Sequence, residues 1–178
     1  MSVILIAQII GISAMTITVL SMQCRSNRNF FICQELAGVL FMVSFAMLGA
    51  WGGAVMNLFG VIRPELLRRE NIAKSKITLI GLLVFLILCS LAVVIIFNEK
   101  LYLCLLVLIA QSAGTFFMWT RNGRNIRLCQ LFIVSPLWLM YNSLIPIPSI
   151  GGILTELINI VSVALALIRF RKIGFVER

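Results

Sequence analysis

A carboxylate in the middle of an apolar run needs a physical reason to be there. Glu156 is flanked by Ile153, Leu154, Leu157 and Ile158. A charge at that depth in a bilayer costs about 2.5–3.5 kcal/mol on insertion scales, so its side chain must face a polar cavity or a partner. Asn159 follows three residues on, and Gly152 precedes by one turn, both on the same helical face. In an earlier apolar run, Gly53, Asn57 and Gly60 form a matching stripe. Small residues let helices approach, and the amides and carboxylate then point into the bundle. Such a set can bind a cation, a proton or a polar substrate. It can equally close a structural hydrogen bond between helices, Glu156 to Asn57 or to another amide.

Trp138, Tyr141 and Asn142 form a second cluster, just after Pro136. They suit a ligand-stacking wall or plain aromatic packing. Pro136 is a flexing point or a static kink. Gln8 and Gln111 lie inside apolar runs and either line a cavity or bond between helices. Glu35 is placed to snorkel to the interface or to pair with Arg25 or Arg28. Trp51 and Trp119 sit at run ends, where interfacial anchors belong.

Reaction chemistry is scarce. The chain has no histidine, which removes the commonest general base and metal ligand. It has no paired acidic motif, no serine elbow and no Gly-rich phosphate loop. The five cysteines form no Cys-x-x-Cys and are best read as small apolar packing residues. The expectation is therefore no enzyme, no catalytic residue, no metal site and no cofactor.

These side chains must be positioned by membrane helices. The 178 residues are 61% hydrophobic, against about 45–50% in a soluble domain. Apolar runs of roughly 20 residues recur along the whole length. Spans are expected at 3–22, 30–49, 51–68, 77–97, 101–119, 128–147 and 150–168. A tight turn at Gly49–Gly53 joins the second and third, and Pro146 and Pro148 break the sixth from the seventh. The opening Met-Ser-Val-Ile-Leu-Ile lacks the basic segment of a cleaved signal, so 3–22 is expected to be a retained span.

Charge tests the count. Placing alternate loops on opposite sides puts fourteen of the fifteen lysines and arginines on one side and leaves only Lys100 on the other. The positive-inside rule then puts the N-terminus outside and the C-terminus inside. The net charge of +9 is explained by these loops. No aromatic-basic patch accompanies it, so nucleic acid is not an expected partner. The lipid bilayer is.

The chain also repeats itself. Arg-Ser-Asn-Arg-Asn-Phe-Phe-Ile-Cys-Gln (25–34) returns as Arg-Asn-Gly-Arg-Asn-Ile-Arg-Leu-Cys-Gln (121–130). Spans one to three and five to seven then form two copies of one unit, and the apolar fourth span is a linker that lets both insert in the same orientation. The expected fold class is an all-α membrane protein of seven transmembrane helices in a 3+1+3 parallel repeat of triple-helix bundles. The expected domains are 1–70, linker 77–97 and 101–172. Extending the register places Asn57 opposite Glu156, and the motif itself reads as a positioning element.

The span plan, the duplicated unit with its glutamine motif, and Trp-Leu-Met-Tyr-Asn…Gly-Gly-Ile-Leu-Thr-Glu…Asn-Ile (138–160) together resemble the YgjV-type bacterial inner membrane proteins. Through them the chain is distantly similar to the SWEET and PQ-loop transporters. The resemblance implies the bacterial cytoplasmic membrane, two bundles around a central pathway, and alternating access. It implies a pocket asparagine on the last helix of each bundle, here Asn57 and either Glu156 or Asn159. The Pro-Gln dipeptide of PQ-loop proteins is Cys-Gln in both halves. The expected function is small-solute transport at a midplane site of Asn57, Glu156, Asn159, Trp138, Tyr141 and Asn142, with a small polar solute or a proton as partner. The alternative is a non-transporting scaffold, sensor or assembly partner with a closed pocket. An oligomer is compatible with either but required by neither.

Overall fold

A backbone in lipid has no water to satisfy its polar groups, so each apolar run must close its own hydrogen bonds as a helix. The computed structural model describes residues 3–68 and 75–173 and folds them into seven helical rods. These are α1 (Val3–Met22), α2 (Asn27–Met47), α3 (Trp51–Arg68), α4 (Lys76–Phe97), α5 (Leu101–Trp119), a sixth rod, and α8 (Ile150–Ile173). The sixth rod runs as α6 (Gly123–Cys129), a π-helical turn (Gln130–Val134) and α7 (Ser135–Leu144). Of the basic residues counted on one face, Arg69, Lys74 and Arg178 lie outside the described residues.

Among the described residues, five helices are long and apolar enough to cross a membrane: α1, α2 from Arg28, α4, α5, and α8 as far as Arg169. The third rod is diluted by Arg63, Pro64 and Glu65, and the sixth is divided by its π turn.

Local chemistry explains the ends. The repeated motif supplies the helix caps. Ser26 and Asn122, the second residue of each copy, stand at the N-cap positions of α2 and α6, and of the two it is Asn122 whose side chain closes capping bonds. Asn122 Oδ1 accepts from the backbone N–H of Arg124 and of Asn125, each at 3.1 Å. Ser75 caps α4 in the same way, accepting from the Ile77 N–H at 3.2 Å. Gly49 turns between α2 and α3 with φ +73°, a conformation glycine adopts without strain. The sixth rod ends at Leu144, three residues earlier than expected, because Ile145 precedes Pro146 and is driven to extended backbone at ψ 151°.

Pro136 explains the π turn. Proline lacks an N–H and crowds the preceding turn. The helix widens just before it, and the Ser135 N–H reaches back to the Gln130 carbonyl.

The rods make a ring. α1 packs on α2, α2 on α3, α3 on α5, α5 on α7, α7 on α8, and α8 returns to α1. α4 stands outside the ring against α3 and α5. Its outer residues Ile77, Ile80, Ile95 and Ile96 are all exposed, as an apolar helix facing lipid should be. The tightest crossing is α1 on α8. A Cβ built on Gly151 would lie 2.6 Å from the Gly11 carbonyl carbon, so the two backbones touch.

Candidate functional site

The ring encloses a cavity of about 90 Å³, lined by side chains from every rod except α4. A single water needs only about 10–15 Å³ on this scale, so the space holds several waters or a small solute.

Glu156 and Asn159 project into it from α8. Both are buried, Glu156 at 8% exposure and Asn159 at 0%. Ser135 and Asn159 are the polar neighbours of the carboxylate. Even so, Glu156 Oε2 and both amide atoms of Asn159 lack a hydrogen-bond partner among the described residues. Asn142 joins them from α7, with its Oδ1 buried and unpartnered. Gly152 makes the room: a Cβ there would fall 2.5 Å from that Oδ1. Buried polar atoms are nearly always satisfied, and Glu156, Asn159 and Asn142, which carry unsatisfied ones, all line this one space.

Asn57 lines the cavity from α3. Its own amide is partly occupied, donating to the Gly53 carbonyl one turn back at 2.8 Å. Trp138 also lines the cavity and meets Phe45 at 6.1 Å between ring centroids. Of the six expected site residues, the structure brings together Asn57, Glu156, Asn159, Trp138 and Asn142 and places Tyr141 behind the wall. The Tyr141 ring packs edge-on to Trp138 at 5.4 Å. Its hydroxyl accepts from the Gly53 N–H at 2.6 Å and donates to Glu99 at 3.1 Å. The other Glu99 oxygen accepts from the Gly52 N–H. A loop carboxylate thus caps the N-terminus of α3, where the helix dipole favours negative charge.

Two glutamines exceed their expected role. Gln34 and Gln130 end the two copies of the repeated motif, and both line the cavity. Gln34 donates to Ser21 Oγ at 2.7 Å, and Gln130 to Ser135 Oγ at 3.1 Å. The motif both caps the helices and supplies part of the wall.

Arg63 is the residue that loop charge concealed. Counted with the basic loops, it is in fact buried at 6% exposure and lines the cavity from α3. Its Nη1 donates to Gln111 Oε1 at 2.9 Å, to the Gln111 carbonyl at 3.3 Å and to Thr115 Oγ1 at 3.2 Å. The Gln111 amide in turn donates to the Met56 carbonyl at 3.2 Å, tying α5 to α3. Helical spacing carried the signal, because Gly53, Asn57, Gly60 and Arg63 continue one stripe in steps of three and four.

A second hidden arginine closes one end of the ring. Arg127, at 1% exposure, donates from Nε and Nη2 to the Met22 carbonyl at 3.2 and 3.1 Å and from Nη2 to the Cys24 carbonyl at 2.7 Å.

The family of bacterial inner membrane proteins described as Imp-YgjV matches residues 5–173. No curated protein and no solved structure matches. A cavity ringed by long apolar helices is what a multi-pass protein of the bacterial inner membrane can carry, and the match over nearly the whole length places this chain in the Imp-YgjV family.

Proposed function

We propose that the chain is a small-solute transporter, with its site in the cavity between two triple-helix bundles. The carrying observation is the convergence of unsatisfied buried groups, Glu156, Asn159 and Asn142, on a space lined from both halves. A purely structural core would fill that space or pair those groups.

The helix order supports a two-fold reading. α3 meets α5 and α8 meets α1, as expected if the third and seventh spans are equivalent and the first and fifth likewise. In this reading the third and sixth rods also cross the membrane, giving seven spans in a 3+1+3 plan like that of SWEET-type carriers. The N-terminus is outside and the C-terminus inside. A reporter fused after Arg178 is expected to read cytoplasmic, and one inserted at Asn98–Lys100 external. Both reporters on one side would remove this topology.

Alternating access would rock the bundles about the cavity. Contacts between the halves lie at opposite ends: Tyr141 and Glu99 on the α3 N-terminus, and Arg127 on the C-terminal carbonyls of α1. Each latch must open in turn.

One observation favours a non-transporting scaffold. The α1–α8 seam is bonded near both ends, Gln8 to the Pro148 carbonyl at 3.3 Å and Gln23 to Ser162 at 2.8 Å. The experiment that separates the readings is a thermal-shift screen of small polar solutes on purified protein, followed by liposome flux on each hit. In the transporter reading, Glu156→Gln lowers uptake at least tenfold at unchanged expression. Uptake indifferent to that change removes Glu156 from the mechanism, and a screen without hits favours the scaffold.

A further inference from the structure

The cavity holds one buried guanidinium and one buried carboxylate, and they are not spent on each other. The hydrogen bonds of Arg63 run from Nη1 to neutral partners in α5, and its guanidinium carbon lies 5.8 Å from the centre of the Phe59 ring; no carboxylate of the described residues pairs with it. Its Nε is buried and unpaired, and among the described residues its hydrogen bonds all start from Nη1, leaving Nη2 unused. The Nε–Nη2 edge is one of the two edges with which a guanidinium takes a carboxylate by two parallel hydrogen bonds. The other pole is Glu156, with Oε2 unpaired beside the unsatisfied amide of Asn159.

Buried charges are costly unless paired. Two opposite ones that line one space without meeting leave a demand that a single ligand can meet. A neutral solute would leave both charges uncompensated. A simple cation would neutralise Glu156 and worsen the field at Arg63. A simple anion would do the reverse.

We propose that the site recognises a small zwitterion, its carboxylate on the free edge of Arg63 and its cationic nitrogen on Glu156, with Asn159 and Asn142 as further acceptors. Size agrees: the space for about six waters suits a molecule of about five or six heavy atoms, such as glycine or β-alanine. Trp138 offers a face for the carbon chain. The inference rests on the transporter reading for its physiological sense, but binding can be measured without transport.

The test uses purified full-length protein in lipid nanodiscs. Isothermal titration compares glycine, β-alanine, propionate, propylamine and glucose. A zwitterion is expected to bind at least tenfold more tightly than propionate or propylamine. In Glu156→Gln the advantage of β-alanine over propionate should vanish while propionate binding holds. In Arg63→Lys, which keeps the charge and loses the planar fork, the advantage of β-alanine over propylamine should fall at least tenfold. Should Arg63→Lys fail to yield monodisperse protein, the Glu156→Gln ratio decides alone. Preferential binding of glucose, or an unchanged β-alanine to propionate ratio in Glu156→Gln, overturns the proposal. Zwitterion binding without liposome flux would remove the transporter reading and leave this one standing. Flux of a neutral solute without zwitterion binding would do the opposite.

Discussion

Gly151→Leu is expected to abolish the folded protein, and even Gly151→Ala should cut the yield of monodisperse material severely. The reason is a backbone contact. At residue 151 an added Cβ would lie 2.6 Å from the Gly11 carbonyl carbon and 3.0 Å from both its Cα and its oxygen. No side chain can swing aside to make room, so α1 and α8 must separate. Forcing atoms into a packed site typically costs about 1–3 kcal/mol, and a backbone obstacle belongs at or above the top of that range. Separation would also stretch the Gln8 and Gln23 hydrogen bonds along the same seam. The control is Gly11→Ala. Its Cβ would meet chiefly Ser44 Oγ at 3.1 Å, a hydroxyl that can rotate, and otherwise the Gly151 Cα at 3.7 Å. Gly11→Ala should therefore fold, with a modest fall in melting temperature. Size-exclusion profiles and thermal unfolding in detergent compare the three variants. Equal behaviour of Gly11→Ala and Gly151→Ala would mean that the seam is looser than a backbone contact.

Much of this was legible in the chain. The seven rods fall within a few residues of the apolar runs because breakers mark their ends: Gly49 turns, Asn98 and Asn122 cap, and Pro146 stops a helix. Five of the six expected site residues share one cavity because the insertion cost works as a locator. A carboxylate or an amide persists deep in a span only where something receives it; that cost points to Glu156, helical spacing adds Asn159, and the repeat register adds Asn57.

What escaped has a common cause. Arg63 and Arg127 lie a few residues from loops, and the positive-inside rule counts every such arginine as a surface charge. Whether the side chain turns outward to water or inward to carbonyls depends on which helix lies beside it, and that is long-range information. Glu99 escaped similarly. It sits between α4 and α5, and its partners, Gly52 on α3 and Tyr141 on α7, are 47 and 42 residues away in sequence. Tyr141 follows from Glu99, because its hydroxyl turns toward that carboxylate rather than into the cavity.

Arg127→Leu is expected to destabilise the protein by about 3 kcal/mol, more than any substitution at an exposed arginine such as Arg124. A helix leaves its last carbonyls without intrahelical donors, and a cation beside them satisfies both the hydrogen bonds and the dipole. Arg127 does this for α1 from another part of the chain, donating to Met22 and Cys24 while also bonding its own Gly123 carbonyl at 3.0 Å. Phe30 lies beneath the guanidinium at 5.7 Å, adding a cation–π contact. Leucine would match the volume but leave these carbonyls buried and unmet. Hydrogen bonds to a charged group are worth about 1.5–3 kcal/mol each, and part of that loss is recovered where a freed carbonyl reaches water. Arg127→Lys should retain part of the stability, because an ammonium can reach one carbonyl but cannot bridge two in the plane of a fork. The order wild type, lysine, leucine in melting temperature tests the capping role. The same series bears on the proposed transport cycle, since Arg127 ties one half of the ring to the other. With this latch weakened, a cysteine introduced near Met22 should become more accessible to a membrane-impermeant thiol reagent from the side that the proposed topology makes cytoplasmic. A leucine variant as stable as wild type, with unchanged labelling, would mean that the carbonyls of α1 find other donors and that Arg127 holds nothing shut.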